Sequence, residues 1–193
     1  SKGNLTVVSS EFEKMYKNYY ASSYTAGASV VTMDGYLDPT ERENTIITGN
    51  IVNEMQIGSA THTILFGGEL IDTTNKNKRY DTYWSTTADD NEVFNITRPM
   101  DFTVNSAGVA TNNDFTADLN RQTQSDIEVT SIYIQDQIDV SENLKVMIGG
   151  RHDTFDITVK DVKNGTAQSR EDKEFSLRAG IIYKPKENVS YYY

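Results

Sequence analysis

Cysteine is absent from the 193 residues, which removes disulfide frameworks, thiolate metal sites and cysteine nucleophiles from consideration. Two histidines, His62 and His152, fall short of a metal-ligand cluster. Basic residues are few: 18 Lys and Arg stand against 28 Asp and Glu, for a formal charge of −10 and a pI near 4.6. Their only cluster is Lys76, Lys78 and Arg79, which argues against a nucleic-acid partner, because duplex binding needs a clustered basic surface. No window approaches the ~20 consecutive apolar residues of a spanning helix. The N-terminal Ser1-Lys2-Gly3-Asn4 lacks the apolar core of a signal peptide. A β-barrel wall escapes these tests, because its lipid-facing residues alternate with polar lumen-facing ones.

What is present is tyrosine and alternation. The hydrophobic fraction is 37% and the mean hydropathy −0.57, yet aromatics reach 10%, with 12 Tyr, so the composition is that of a folding chain. Apolar residues recur at a spacing of two, the signature of two-faced strands. Ile47, Ile51, Met55 and Ile57 alternate with polar neighbours; after Gly58-Ser59-Ala60 the apolar face continues with His62, Ile64, Phe66, Gly68 and Leu70. The pattern returns in Ile132, Ile134, Ile138 and Val140, in Leu144, Val146 and Ile148, and in Phe175, Leu177, Ala179, Ile181 and Tyr183. The predicted fold is all-β, an antiparallel up-and-down meander of six strands and part of a seventh.

Tight links at 58–60, 141–143 and 185–188 alternate with long polar ones at about 75–122 and 161–171, as in a sheet with short turns at one rim and long loops at the other. The same parity upstream places a strand at 4–16, an outer loop at 17–27 and a long strand over 28–57 that breaks or bulges near Asp38-Pro39-Thr40. Asp136 shares the parity of Ile134 and Ile138, so it needs a rim or a bulge. The phase slips after Asp153, where Phe155, Ile157 and Val159 become the apolar set, and Asp153 to Asp156 are expected near the outer rim.

Ser131-Ile-Tyr-Ile-Gln-Asp-Gln-Ile-Asp-Val140, followed by Asn143-Leu-Lys-Val-Met-Ile-Gly-Gly-Arg-His-Asp-Thr-Phe-Asp156, resembles the barrel signature of TonB-dependent siderophore receptors: a Tyr-x-Gln-Asp strand, a tight turn, then a strand ending Gly-Gly-Arg-Tyr-Asp. Here His152 stands in the aromatic place. His62-Thr-Ile-Leu-Phe-Gly-Gly-Glu69 is similar to the family's His-Thr-Leu-Leu-x-Gly strand, and Tyr183-Lys-Pro185 through Tyr193 to its next hairpin. The resemblance covers most of residues 28–193. It implies a 22-stranded barrel in the outer membrane of a Gram-negative bacterium, plugged by an N-terminal domain. Such a barrel imports a ferric siderophore, here of catecholate rather than hydroxamate type, with energy passed through the TonB complex. On this reading residues 1–193 are an internal barrel fragment without plug, TonB contact or closing strand. Outer-membrane lipid and lipopolysaccharide surround it, and it binds no cofactor of its own.

Loop 75–122 is the expected place for ligand contact, through Tyr80, Tyr83, Trp84, Phe94 and Arg98, with Lys76, Lys78 and Arg79 steering an anionic chelate inward. The alternative is that these aromatics pack the loop upon itself. Arg151 and Arg178 are expected to face the lumen as wall charges, pairing with Asp153, Glu174 or plug residues. Tyr183 and Tyr191 to Tyr193 read as an interfacial girdle. Carboxylate pairs such as Asp89-Asp90 lie in polar loops without a burying pocket, and no nucleophile and base pair is apparent, so no enzymatic role is expected. The competing class is a soluble secreted β-sandwich or β-solenoid that binds carbohydrate or mediates adhesion, its alternation arising from one buried and one wet face.

Overall fold

The computed structural model describes residues 1–186 and 188–193. Glu187, within the expected link at 185–188, lies outside the described residues. Eight strands form one antiparallel sheet, and no helix occurs among the described residues: β1 (Lys2–Tyr24), β2 (Val30–Ile57), β3 (Ala60–Asp81), β4 (Glu92–Asn95), β5 (Asp118–Ser141), β6 (Leu144–Asp161), β7 (Thr166–Lys186) and β8 (Val189–Tyr192). The lateral order is β1-β2-β3-β5-β6-β7-β8, a meander in which each long strand pairs with the next, while short β4 pairs with the start of β2.

The strands are longer than their apolar patterns. β1 continues to Tyr24, so the loop expected at 17–27 contracts to 25–29. β3 runs to Asp81 and β5 starts at Asp118, which shortens the loop expected at 75–122 to 82–117, and the polar link at 161–171 is a turn over 162–165. In these extensions threonine, a good strand former, and polar cross-strand pairs replace apolar alternation. Thr73 Oγ1 donates to Asn44 Oδ1 at 2.7 Å, Asn77 Nδ2 to Thr40 Oγ1 at 2.9 Å and Lys160 Nζ to Asp126 Oδ2 at 2.8 Å. Pro39 makes no bulge: it stands opposite Met15 in unbroken register with β1. Nor is there a register shift near Asp153, which faces Ser131 in a continuous β5–β6 ladder. The apolar residues beyond it have moved to the other face of the sheet.

Register shifts fall only near strand ends, so rows can be traced across the strands between them. One face carries an exposed apolar belt from the row Ile57–Ala60 to the row Val7–Ile47–Leu70, including Phe66 and Ile134 at 55% and 54% exposure and Leu177 at 77%. Ala60 to Leu70 spans about 33 Å along the strand and about 25 Å once strands tilt as in a barrel, the height of an outer-membrane hydrocarbon band. Asp136 lies in the belt without a bulge, and its carboxylate meets His62 Nδ1 at 2.7 Å, a diagonal neighbour from β3 toward the tight-turn end.

Candidate functional site

The face opposite the belt changes character with height. Level with the belt it is polar: the row Thr6, Thr48, Glu69, Ser131, Asp153 and Glu174 crosses six strands, with Arg151 one row below. Arg151 Nη2 donates to Glu69 Oε1 at 2.9 Å and Ser131 Oγ at 2.8 Å, and its Nε to Asp153 Oδ1 at 2.7 Å. Its guanidinium also faces the Tyr133 ring, 5.6 Å from the centroid. Tyr133 lies over Gly67, where a Cβ would come within 2.6 Å of the ring. Arg178 shares this face, on the row of Gly149, whose missing side chain leaves its guanidinium room. Glu69, Ser131 and Tyr133 are partners of Arg151 that composition alone did not single out.

Above that charged row comes an apolar shelf. Val8, Ile46, Ile71, Val129 and Phe155 form one row across five strands, and Ile127 and Ile157 the next. These are the residues that produce the apparent phase slip after Asp153.

Still farther from the tight turns, the same face of β1 and β2 presents three tyrosines. The Tyr16 and Tyr20 rings lie 5.8 and 6.3 Å from that of Tyr36, and the Arg79 guanidinium sits over Tyr36 at 3.9 Å. Arg79 is paired with Asp38 at 3.6 Å and Asp81 at 3.7 Å. Tyr20 Oη donates to Asp34 Oδ2 at 2.7 Å; that hydrogen bond, then partial burial and the carboxylate's charge, push the phenol up to about 12. Tyr20 was missed because residues 17–27 read as loop; Tyr16 and Tyr36 fell within the expected strands at 4–16 and 28–57, and only the β1–β2 pairing brings the three together.

Loop 82–117 packs on the other side. Tyr19, Val31 and Met33 have the parity of the belt, and against them the loop sets Trp84, Phe94, Phe102 and Phe115. Trp84 is 1% exposed and Phe94 fully buried, so neither ring offers a free face to a ligand; they hold the loop to the sheet. Lys17 Nζ lies 4.5 Å from the Phe115 ring centre. Of the remaining expected contacts, Tyr83 is half-buried in the loop and Arg98 is exposed. Lys76, Lys78 and Tyr80 are on β3 with belt parity, and Lys76 approaches Glu43 at 3.9 Å, so only Arg79 of the basic cluster faces the tyrosine side. Asp90, also in the loop, has its carboxyl held above the usual range by burial, with a hydrogen bond to the Asp89 carboxylate and the charge of Asp34 adding to the effect.

Comparison with known proteins agrees with this architecture. The family described as "TonB dependent receptor-like, beta-barrel" matches residues 6–193. The ferrichrome outer membrane transporter/phage receptor of Escherichia coli K12 is 27% identical over 159 residues, covering 81% of this chain but only 20% of the relative. Among solved structures, the unliganded ferric citrate transporter FecA aligns with 93% of this chain and 26% of its own at a TM-score of 0.62 and 14% identity. BauA, the ferric preacinetobactin receptor of Acinetobacter baumannii, aligns with 97% and 27% at 0.61 and 13% identity. The siderophore receptor PiuA of the same organism gives 95% and 32% at 0.56 and 13%. These structural likenesses establish the fold. The chain thus spans about a fifth of its curated relative and belongs to the TonB-dependent receptor β-barrel family of the Gram-negative outer membrane.

Proposed function

We propose that this chain is a wall segment of a longer receptor that binds ferric siderophores at its outer mouth and imports them with energy delivered through TonB. The observation that carries the reading is the Tyr16, Tyr20, Tyr36 and Arg79 cluster, on the lumen face and beyond the hydrocarbon band, where an incoming chelate first meets the wall. Aromatic faces and a planar guanidinium suit stacking against a flat chelate. The family and the names of the relatives support the substrate and the outer-membrane setting. Tyr83 and Arg98 remain candidate contacts from the loop, with Trp84 and Phe94 acting beneath them as packing. Arg151, Glu69 and Asp153 would face a plug domain in the complete receptor. The chain serves transport, with ferric siderophore as cargo.

Uptake of radio-iron chelates by cells carrying the full-length receptor tests this. Tyr16→Ala with Tyr36→Ala should reduce uptake about tenfold or more, in line with the loss of two central aromatic contacts. Uptake that persists in this double variant, and is lost instead with Tyr83→Ala and Arg98→Ala, would move the site to the loop.

A further inference from the structure

One buried hydroxyl joins the tyrosine cluster on one face of the sheet to the loop on the other. Thr82, where the chain leaves β3, is fully buried. Its Oγ1 lies 2.5 Å from the Asp90 carbonyl oxygen in loop 82–117 and 3.3 Å from Asp34 Oδ1. Both partners are acceptors, and a hydroxyl has one proton to donate. It accepts in turn from the Gly35 N–H at 3.2 Å, a group that also donates to Asp34 Oδ1. With the hydroxyl closed to solvent, its proton serves either the loop or the carboxylate, and the shorter contact assigns it to the loop. The other carboxylate oxygen, Asp34 Oδ2, accepts from Tyr20 Oη at 2.7 Å. Tyr20 is 41% exposed and lies beside Tyr36 in the ring cluster. A carboxylate shares its charge between two oxygens, so a donor withdrawn from Oδ2 makes Oδ1 the stronger acceptor.

We infer that Thr82 is a positioning residue that couples the Tyr20 phenol to the root of loop 82–117; only the identity of the trigger rests on the receptor reading above. While Tyr20 donates to Asp34, Thr82 donates to Asp90 and the loop is anchored. A chelate oxygen that accepts the Tyr20 proton takes this donor away from Asp34. The Thr82 O–H then swings about its C–O bond toward Asp34, the Asp90 carbonyl loses its partner, and the loop root loosens. No proton leaves its oxygen in this exchange of hydrogen bonds. The coupling runs both ways: whatever holds the loop down on the outward face keeps Tyr20 on Asp34 and weakens chelate binding by the same factor.

Amide hydrogen exchange on the full-length receptor in detergent reads the loop root over 82–92. Tyr20→Phe removes the donor without any ligand and should speed exchange there about fivefold, the scale of one hydrogen bond. Thr82→Val, of nearly equal size, should speed it by itself, and adding Tyr20→Phe should then change nothing more, whereas Thr82→Ser should keep the response to Tyr20→Phe. Saturating ferrichrome or ferric citrate, the cargoes in two relatives' names, should act on the unmodified receptor as Tyr20→Phe does. Exchange left unchanged by Tyr20→Phe, or additive effects of Tyr20→Phe and Thr82→Val, overturns the inference whatever the chelates do. Loosening by Tyr20→Phe but by neither chelate upholds the coupling and overturns the placement of the ligand at the tyrosines. The Tyr20→Phe measurement needs no change at Thr82, so it decides even if Thr82→Val fails to fold.

Discussion

The Arg79 guanidinium carbon lies 3.9 Å from the centre of the Tyr36 ring, while its nitrogens reach Asp38 and Asp81 on either side. Stack and ion pairs depend on the planar fork that lysine lacks. Arg79→Gln leaves two carboxylates facing each other and is expected to cost about 1–2 kcal/mol, whereas Arg79→Lys, keeping the charge, should recover about half of this. Thermal melts of the detergent-solubilised receptor should rank wild type above lysine and lysine above glutamine. Equal melting of the two variants would mean that charge plays no part.

His62 and Asp136 make one polar pair on the lipid-facing belt. Removing one partner strands the other against hydrocarbon, while removing both leaves a uniform apolar surface. His62→Leu should destabilise the barrel by about 1–3 kcal/mol, and His62→Leu with Asp136→Leu should restore most of it. Reversible unfolding from lipid vesicles measures both. A double variant as weak as the single one would contradict the pairing argument.

Gly35 sits where loop 82–117 meets β1 and β2. A Cβ there would fall 2.5 Å from the Asn18 carbonyl oxygen and 3.0 Å from both Thr82 Cγ2 and Tyr19 Cδ1. Because the first of these atoms is backbone, relief requires the strands to part. Gly35→Ala is therefore expected to loosen the loop by about 1–3 kcal/mol, seen as faster proteolytic cleavage within 82–117 with the remaining barrel protected. Unchanged cleavage would show that the ladder absorbs the methyl group.

Tyr20 titrates near 12 rather than 10 because it donates to Asp34 beside a negative charge. With the folded-state value raised, the stability from this contact is complete below about pH 10 and is lost as pH climbs from 10 to about 12. Asp34→Asn removes the charge and should return the phenol toward 10. NMR of ring-carbon-labelled tyrosine reads the midpoint directly, and a midpoint unmoved by the substitution would break the assignment to Asp34.

The belt was legible in the sequence because lipid imposes a strict period of two: Ile47 to Ile57, His62 to Leu70 and Ile132 to Val140 lie on one face as their spacing predicts. Tight turns were legible for the same reason, since parity carries through them. Strand ends were not. Beyond the belt both faces are wet, and segments such as Thr73 to Arg79 look the same whether they pair or wander. That ambiguity turned strand residues Lys76 to Tyr80 into loop and hid Tyr20. The loop aromatics were readable as a group, but which of two roles they play depends on which face of β1 and β2 they cover, and composition carries no such information. The change of apolar parity after Asp153 was visible; in the sheet it marks a change of face within a ladder that stays in register there.

Because Trp84 and Phe94 clamp their loop to the outward side of β1 and β2, the most conspicuous surface of this segment is separate from the passage it borders. An antibody gripping that loop would cover the outward face of the wall and leave the opposite face, with Tyr16, Tyr20 and Tyr36, uncovered.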